Sequence, residues 1–163
     1  MTDPVERVDV LVAGGGYVGL SAALAIAASV PGARVALADP RPWRDASGDL
    51  RAFAVAAAGR RMLSALGVWD GLVGEAEPVR EMIVTDSRLD DLIRPVFLTF
   101  ERQRDGDPLA HMLPNGPLVA ALGAAAEAAG VRFLTPDSVL ATEQSSGGRQ
   151  VTLASGKTLI ASL

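Results

Sequence analysis

The feature that most constrains the fold is an uncharged apolar run, residues 10–33, that contains three consecutive glycines. Its length suits a membrane-spanning helix or the apolar part of a signal peptide. The glycines argue against one continuous helix, because each interior glycine costs about 0.8–1 kcal/mol relative to alanine. The preceding residues, with Asp3, Glu6, Arg7 and Asp9, are net acidic, whereas a signal peptide begins with a positive segment. We therefore predict a buried strand, a tight turn and a buried helix, and a cytoplasmic protein.

The glycines form the pattern G-x-G-x-x-G, with Gly14, Gly16 and Gly19 at the fixed positions and Gly15 between the first two. The pattern follows a predicted strand, 8–13, and opens the predicted helix. In a strand–turn–helix unit, the first glycine permits a sharp turn and the second lets a pyrophosphate approach the backbone. The third glycine lets the helix pack closely on the strand. The free N–H groups and positive dipole end of the helix would then face the phosphates.

A second predicted strand, 34–38, ends at Asp39, which follows Gly14 by 25 residues. An acid at this position accepts hydrogen bonds from ribose hydroxyls and disfavours a 2′-phosphate. The alternative is that Asp39 only caps a turn before Pro40. Because strand, glycines, helix, strand and acid occur in the required order, we predict a dinucleotide-binding site.

The rest of the chain departs from a simple nicotinamide-binding domain, which would continue with regularly alternating helices and strands. The predicted elements are a loop at 40–49, a helix at 51–66, strands at 81–85 and 96–100, a helix that begins at Asn115, a parallel strand at 131–134, and a three-stranded meander over 139–161. The third parallel strand is thus delayed and followed by a meander. This organisation favours FAD as the dinucleotide.

Composition excludes several other classes of function. The 163 residues contain no cysteine, which excludes disulfides, thiolate metal sites and a cysteine nucleophile. A net charge of -4 without a basic stripe argues against nucleic-acid binding. His111, the only histidine, stands on a predicted strand without a partnered acid or a metal-ligand spacing, so we predict a structural role. Trp43 and Trp69 are predicted to be packing residues or loop anchors. We predict no metal site and identify no catalytic residue.

Four segments together resemble the N-terminal part of the ubiquinone-biosynthesis hydroxylase family of flavin-dependent aromatic monooxygenases. They are DVLVAGGGYVGLSAALAIA, VALADPRP, DLRAFAVAAAGRRMLSALGVWD and HMLPNGPLVAAL. The resemblance covers the chain in order. It implies an α/β fold: a Rossmann-like, glutathione-reductase-type FAD-binding domain with a β-meander, formed by residues 1–78 and 107–163. Residues 79–106 would begin an inserted substrate-binding sheet. It also implies a truncated chain, since full members continue beyond residues 161–163 into another strand and a flavin-binding Gly-Asp segment.

The resemblance implies roles for two further residues. Arg51 matches the arginine of a D-x-R-A segment that reaches the phosphate and ribose of FAD. The alternative is that Arg51 is a solvated residue in the first turn of a helix. The helix dipole disfavours arginine at that position, so its presence there supports a bound anion. Asn115 matches a polar residue that contacts the flavin linker, and the compatible alternative is an ordinary helix N-cap. The predicted cofactor-binding residues are therefore Gly14, Gly15, Gly16, Gly19, Asp39, Arg51 and Asn115.

The resemblance also implies an activity, namely FAD-dependent hydroxylation of a polyprenylated phenol in ubiquinone biosynthesis with NAD(P)H and O2. The chemistry belongs to the cofactor, which explains why no acid–base pair is visible. We expect the isolated chain to be inactive or nearly so. Peripheral association with the inner membrane or with a biosynthetic complex is left open. The alternatives are a related FAD hydroxylase for another aromatic substrate, and a non-catalytic dinucleotide-binding module completed by a partner chain.

Overall fold

A computed structural model describes residues 5–86, 88, 90, 92–101 and 107–163. The α-helices are α1 (Tyr17–Ser29), α2 (Ala57–Ala65) and α3 (Asn115–Ala128), and 3-10 helices span Trp43–Gly48 and Asp70–Glu75. The strands are β1 (Glu6–Val8), β2 (Val10–Ala13), β3 (Val35–Ala38), β4 (Ala52–Ala56), β5 (Glu77–Val79), β6 (Glu81–Thr85), β7 (Val96–Glu101), β8 (Ala110–Pro114), β9 (Arg132–Leu134), β10 (Val139–Ser145), β11 (Gly148–Leu153) and β12 (Thr158–Ala161).

A parallel sheet of order β2-β3-β9 forms the middle of three layers. All four residues of β3 are buried, and they alternate between two clusters. Val35 and Leu37 pack with α1 and α3, whereas Ala36 and Ala38 pack against the meander strands on the other face. This alternation follows from the period of two along a strand. The sheet is therefore covered on both faces, and the predicted third parallel strand is confirmed as β9.

The predicted strand 8–13 is confirmed over residues 10–13, which form β2, but it is not one continuous strand, because the chain changes sheets at Asp9. β1 pairs in parallel with β12 of the meander, and β2 pairs in parallel with β3. The Asp9 carboxylate accepts hydrogen bonds from the backbone N–H and the guanidinium of Arg34. Val8 is apolar like the residues of β2, so hydrophobic patterning alone does not reveal that it pairs with a different sheet.

The predicted helix 51–66 is wrong over its first part, where the structure has β4. Phe53 and Val55 are half-buried while the three alanines of the strand are exposed. The strand pairs antiparallel with β8, and the sheet order is β4-β8-β5. This alternation and the pairing outweigh the helix propensity of the alanines. Arg51 therefore precedes a strand, and the dipole argument for a bound anion at a helix start does not apply to it.

Strands β6 and β7 form an antiparallel ribbon in which every residue is exposed. The predicted strands 81–85 and 96–100 are confirmed, β7 being one residue longer. Residues directly opposite each other share a face, so Met82 and Phe100 lie on the same side as Val84 and Leu98. One face of the ribbon is thus apolar and open. The division into 1–78 with 107–163 and a separate 79–106 stays a prediction.

The predicted meander is confirmed as β10, β11 and β12, in a sheet of order β1-β12-β11-β10. After β12 the chain crosses to the parallel sheet. The Leu163 N–H donates to the Asp9 carbonyl over 3.1 Å, and the Leu11 N–H donates to the Leu163 carbonyl over 2.9 Å. Leu163 therefore lies beside β2, on the edge opposite β3. Within the described residues, the longest apolar helix is too short to cross a membrane.

Candidate functional site

A pocket of about 670 Å3 opens at the carboxyl ends of β2 and β3. This is the edge at which parallel α/β sheets bind ligands, and the volume lies in the range of about 300–1,000 Å3 for such sites. Five of the seven predicted residues line the pocket, namely Gly15, Gly16, Asp39, Arg51 and Asn115. The other lining residues are Arg41, Pro42, Trp43, Asp45, Ala46, Gly48, Asp49 and Val119.

The glycine turn has three different steric requirements. Gly14 has a φ of +107°, a left-handed conformation that side chains rarely adopt. A Cβ on Gly19 would lie 2.0 Å from the Gly14 carbonyl oxygen, so this position permits the close approach of α1 to the turn. A Cβ on Gly16 would meet nothing within 4 Å. Gly16 therefore borders open space in the pocket, where a ligand can approach the backbone.

The N-terminus of α1 follows this turn directly. Gly16 occupies the cap position, no side chain caps the helix, and its first turn contains no acid. The first N–H groups of a helix have no partner within the helix, and they carry the positive end of its dipole. An uncapped helix start beside an open pocket is suited to binding an anion such as a phosphate.

Asp39 joins the glycine turn to the end of β3. Its Oδ2 accepts a hydrogen bond from the Gly15 N–H over 2.7 Å, and its Oδ1 accepts one from the Arg41 N–H over 2.7 Å. The turn-capping alternative is thus realised in the structure. A carboxylate has about four acceptor positions, so further hydrogen bonds from a ribose remain feasible. The ribose contact itself stays a prediction.

Asp49 was missed in the sequence, although it stands two residues before Arg51 in the D-x-R-A segment. Its Oδ1 accepts hydrogen bonds from the Arg51 Nε over 2.9 Å and from the Arg51 backbone N–H over 3.0 Å. Its Oδ2 accepts one from the Asn115 Nδ2 over 2.7 Å. Hydrogen bonding from the Arg51 guanidinium holds the pKa of Asp49 well below its usual range. The carboxylate is therefore ionised and connects both residues.

The N-cap prediction for Asn115 is wrong. Pro114 occupies the cap position, and Asn115 is the first residue of α3, with its amide turned to Asp49. Asn115 is 5% exposed, and its Oδ1 is buried without a partner among the described residues. The same holds for Nε1 of Trp43, whose ring packs against Gly123 so closely that a Cβ there would lie 2.4 Å away. Leaving a buried polar atom unpaired costs about 1–3 kcal/mol, so these two atoms suit a ligand that supplies partners.

His111 lies in a separate pocket of about 140 Å3, together with Arg60, Trp69 and Asp107. Its ring meets the buried Trp69 edge-on at 5.0 Å between centroids. Burial lowers the pKa of His111. The positive charge of Arg60 also lowers this pKa, whereas the negative charge of Asp107 raises it. The imidazole is therefore neutral at pH 7. It lines no part of the main pocket, and its predicted structural role stays a prediction.

The three layers and the glycine turn define a Rossmann-like α/β domain with a β-meander. Solved structures of two oxygenases show the same fold. The flavin-dependent monooxygenase PieE, solved with FAD and substrate, has a TM-score of 0.67 and 21% identity over 98% of this chain and 29% of its own. A mutant of 2-methyl-3-hydroxypyridine-5-carboxylic acid oxygenase has a TM-score of 0.64 and 25% identity over 97% of this chain and 38% of its own. The predicted FAD-domain fold is confirmed.

The sequence comparison is narrower. No family model matches the chain. The ubiquinone hydroxylase UbiL from Rhodospirillum rubrum is 32% identical over 100% of this chain and 38% of its own length. The chain thus spans less than half the length of this curated relative. The resemblance to part of the ubiquinone-biosynthesis hydroxylase family of FAD-dependent monooxygenases is confirmed.

Proposed function

We propose that this chain forms the FAD-binding part of a monooxygenase that hydroxylates an aromatic ring. The observation that carries the proposal is the main pocket, because it brings the glycine turn, Asp39, Arg51 and Asn115 around one open volume. The names of the UbiL relative and of the PieE structure support a flavin-dependent hydroxylase.

The residues of the pocket fit FAD. The N–H groups at the start of α1 and the Arg51 guanidinium would hold the pyrophosphate, and Asp39 would hold a ribose. Gly16 leaves room for the phosphates, and the unpaired Oδ1 of Asn115 would accept a hydrogen bond from a ligand hydroxyl. When bound, FAD supplies the redox chemistry by which O2 hydroxylates the substrate, while the protein contributes placement and exclusion of water.

The substrate we propose is a polyprenylated phenol of ubiquinone biosynthesis, with NAD(P)H as the electron donor. The name of the UbiL relative supports this substrate. A different aromatic substrate is the second candidate, favoured by the similarity to an oxygenase named for a substituted pyridine. The cytoplasmic location predicted from the N-terminal residues belongs to the same proposal, and peripheral association with the inner membrane stays open within it.

The proposal is tested by titrating the purified chain with FAD and following flavin absorption and fluorescence. We expect binding of FAD with little or no substrate hydroxylation by the isolated 163 residues. Gly16→Val should abolish FAD retention, because its side chain would occupy the space required by the pyrophosphate. Gly16 has a φ of -73°, which valine adopts readily, so the unfolding midpoint should change little.

Gly19→Ala provides the contrasting variant. Its Cβ would clash with the Gly14 carbonyl, so it should lower the free energy of unfolding by about 1–3 kcal/mol, as overpacking does. FAD retention by Gly16→Val equal to that of the wild type would contradict the site assignment. A stable chain that binds no FAD would favour the non-catalytic module, and efficient hydroxylation would refute the expected inactivity.

A further inference from the structure

Asp49 lies at the centre of the polar contacts on one side of the main pocket. It follows the 3-10 helix Trp43–Gly48 and precedes β4, and its side chain is 21% exposed. Its carboxylate contacts Arg51 through the backbone N–H, Nε and Nη2, and contacts Asn115 through Nδ2. One carboxylate therefore holds two residues of the pocket that come from different elements.

The contact with Asp49 decides which end of the Asn115 amide is free. An ionised carboxylate only accepts hydrogen bonds, so the amide must present its nitrogen to Asp49. Its oxygen, Oδ1, is then the atom that is buried without a partner among the described residues. The Asn115 backbone N–H also donates to the Arg51 carbonyl over 2.8 Å, which fixes the start of α3 against this segment. Asn115 Oδ1 therefore needs a hydrogen-bond donor, which a ligand hydroxyl would supply.

The same contact orders the Arg51 side chain, which is 66% exposed. Asp49 engages one edge of the guanidinium, through Nε and Nη2. A guanidinium has five N–H donors, so several remain for an anion. A long side chain that is already ordered before binding loses no further conformational freedom on binding, whereas ordering a free one weakens binding about two- to tenfold.

Asp49 also opposes the binding of an anion, because its own charge is negative. If charge alone mattered, removing Asp49 would strengthen the binding of a pyrophosphate. If the ordering of Arg51 and Asn115 matters more, removing Asp49 would weaken binding. We propose that Asp49 is a positioning residue whose ordering of Arg51 and of the Asn115 amide outweighs its repulsion of the ligand phosphates. The inference rests on the proposed binding of FAD to this pocket.

The test compares Asp49 with Asp45, a second acid that lines the same pocket. Asp45 is exposed, and its side chain has no hydrogen bond to another described residue. FAD affinity is measured by quenching of flavin fluorescence for the wild type, Asp49→Ala and Asp45→Ala. We expect Asp49→Ala to weaken FAD binding about three- to tenfold, because FAD would then have to order the Arg51 and Asn115 side chains itself. Asp45→Ala should leave binding unchanged or tighten it.

A positioning role through Arg51 predicts a further result. In an Arg51→Ala background, Asp49→Ala should weaken FAD binding by a smaller factor, since one of the two side chains that Asp49 orders is gone. Thermal unfolding of each variant shows whether a change in affinity comes from loss of the fold. An unchanged factor in the Arg51→Ala background would count against the role.

FAD binding by Asp49→Ala as tight as that of the wild type, or tighter, would overturn the inference. If Asp49→Ala does not fold, FAD binding by Asp49→Asn is compared with that by Asp45→Asn instead, because both substitutions remove one negative charge. Weaker binding by Asp49→Asn supports positioning, and equal binding overturns it. A folded wild-type chain that binds no FAD would instead refute the proposed function itself, so the two failures are distinguishable.

Discussion

Asp9 is a single residue that joins two sheets. It stands between β1, which pairs with the meander, and β2, which pairs with the parallel sheet. Its carboxylate accepts hydrogen bonds from the guanidinium and the backbone N–H of Arg34. These hydrogen bonds, the guanidinium first, lower the pKa of Asp9 from 3.8 to about 2. The ionised form is therefore favoured by folding.

The stabilisation by Asp9 should depend on pH. Because the folded-state pKa is depressed, the stabilisation is present above pH 3.8 and is lost as the pH falls through about 2. Asp9→Asn removes the titrating group, so its stability should fall less than that of the wild type between pH 5 and about pH 2. Urea unfolding at both pH values measures the difference.

One result would contradict the prediction for Asp9. If the wild type and Asp9→Asn lose the same stability between the two pH values, the contact with Arg34 contributes nothing to acid sensitivity. Arg34→Gln is the complementary variant, because it keeps the backbone N–H but lacks the guanidinium. It should reduce the acid sensitivity in part.

At the residue scale, the sequence predicted those site residues whose roles follow from local spacing. The glycines and Asp39 belong to one strand–turn–helix–strand unit, and the steric and hydrogen-bonding requirements of that unit are short-range. The role of Asp49 in joining Arg51 to Asn115 could not be found in this way. Its contact with Asn115 joins residues 66 positions apart, and only the pairing of β4 with β8 brings them together.

For strands and helices, the distinction between short-range and long-range contacts also separates correct from incorrect predictions. The parallel strands and the meander were predicted because buried strands and turn residues are visible in the sequence. The start of the 51–66 segment was not, since alanine favours helix while Phe53 and Val55 alternate as in a strand. Pairing with β8 resolves the conflict, and β8 lies more than fifty residues later.

The ribbon of β6 and β7 has an exposed apolar face formed by Met82, Val84, Leu98 and Phe100. Two-stranded ribbons are marginally stable alone, and exposed apolar patches promote association. We expect the chain to bind the dye ANS and to self-associate through this face. The paired change Val84→Lys with Leu98→Glu should reduce both, because it replaces a directly opposed apolar pair by an ion pair.

The matched control changes the opposite face of the same ribbon, with Ile83→Lys and Thr99→Glu. It introduces the same two charges at directly opposed positions but leaves the apolar face intact. ANS fluorescence and sedimentation velocity compare the two variants. An equal reduction by both would show that net hydrophobicity, and not this face, governs association.

At the scale of the whole molecule, the segment that contains the ribbon leaves and re-enters the core at one place. The Leu109 N–H donates to the Val79 carbonyl over 2.9 Å, so the two ends of the segment are adjacent. Val79 also pairs with Ala110 in the β5–β8 ladder. The core could therefore close without the intervening residues.

We expect a chain in which Asn-Gly replaces residues 81–108 to fold cooperatively. A two-residue Asn-Gly turn suits antiparallel strands that are already adjacent. No residue of the main pocket lies in the deleted segment, so FAD affinity should equal that of the full chain. Urea unfolding and FAD titration test the variant. Loss of cooperative unfolding would show that residues 81–108 are part of the core and would contradict the predicted division into domains.

The position of Leu163 affects how the protein is handled in the laboratory. Its carbonyl already accepts a hydrogen bond from Leu11, so a residue fused to it is directed along β2. In the described part of the chain, that edge of β2 is otherwise unpaired, and an unpaired edge is a template for added strands. A β-prone affinity tag attached there would enter the sheet and compete with its packing. A purification tag therefore belongs at the other terminus, or behind a glycine-rich spacer that does not form a strand.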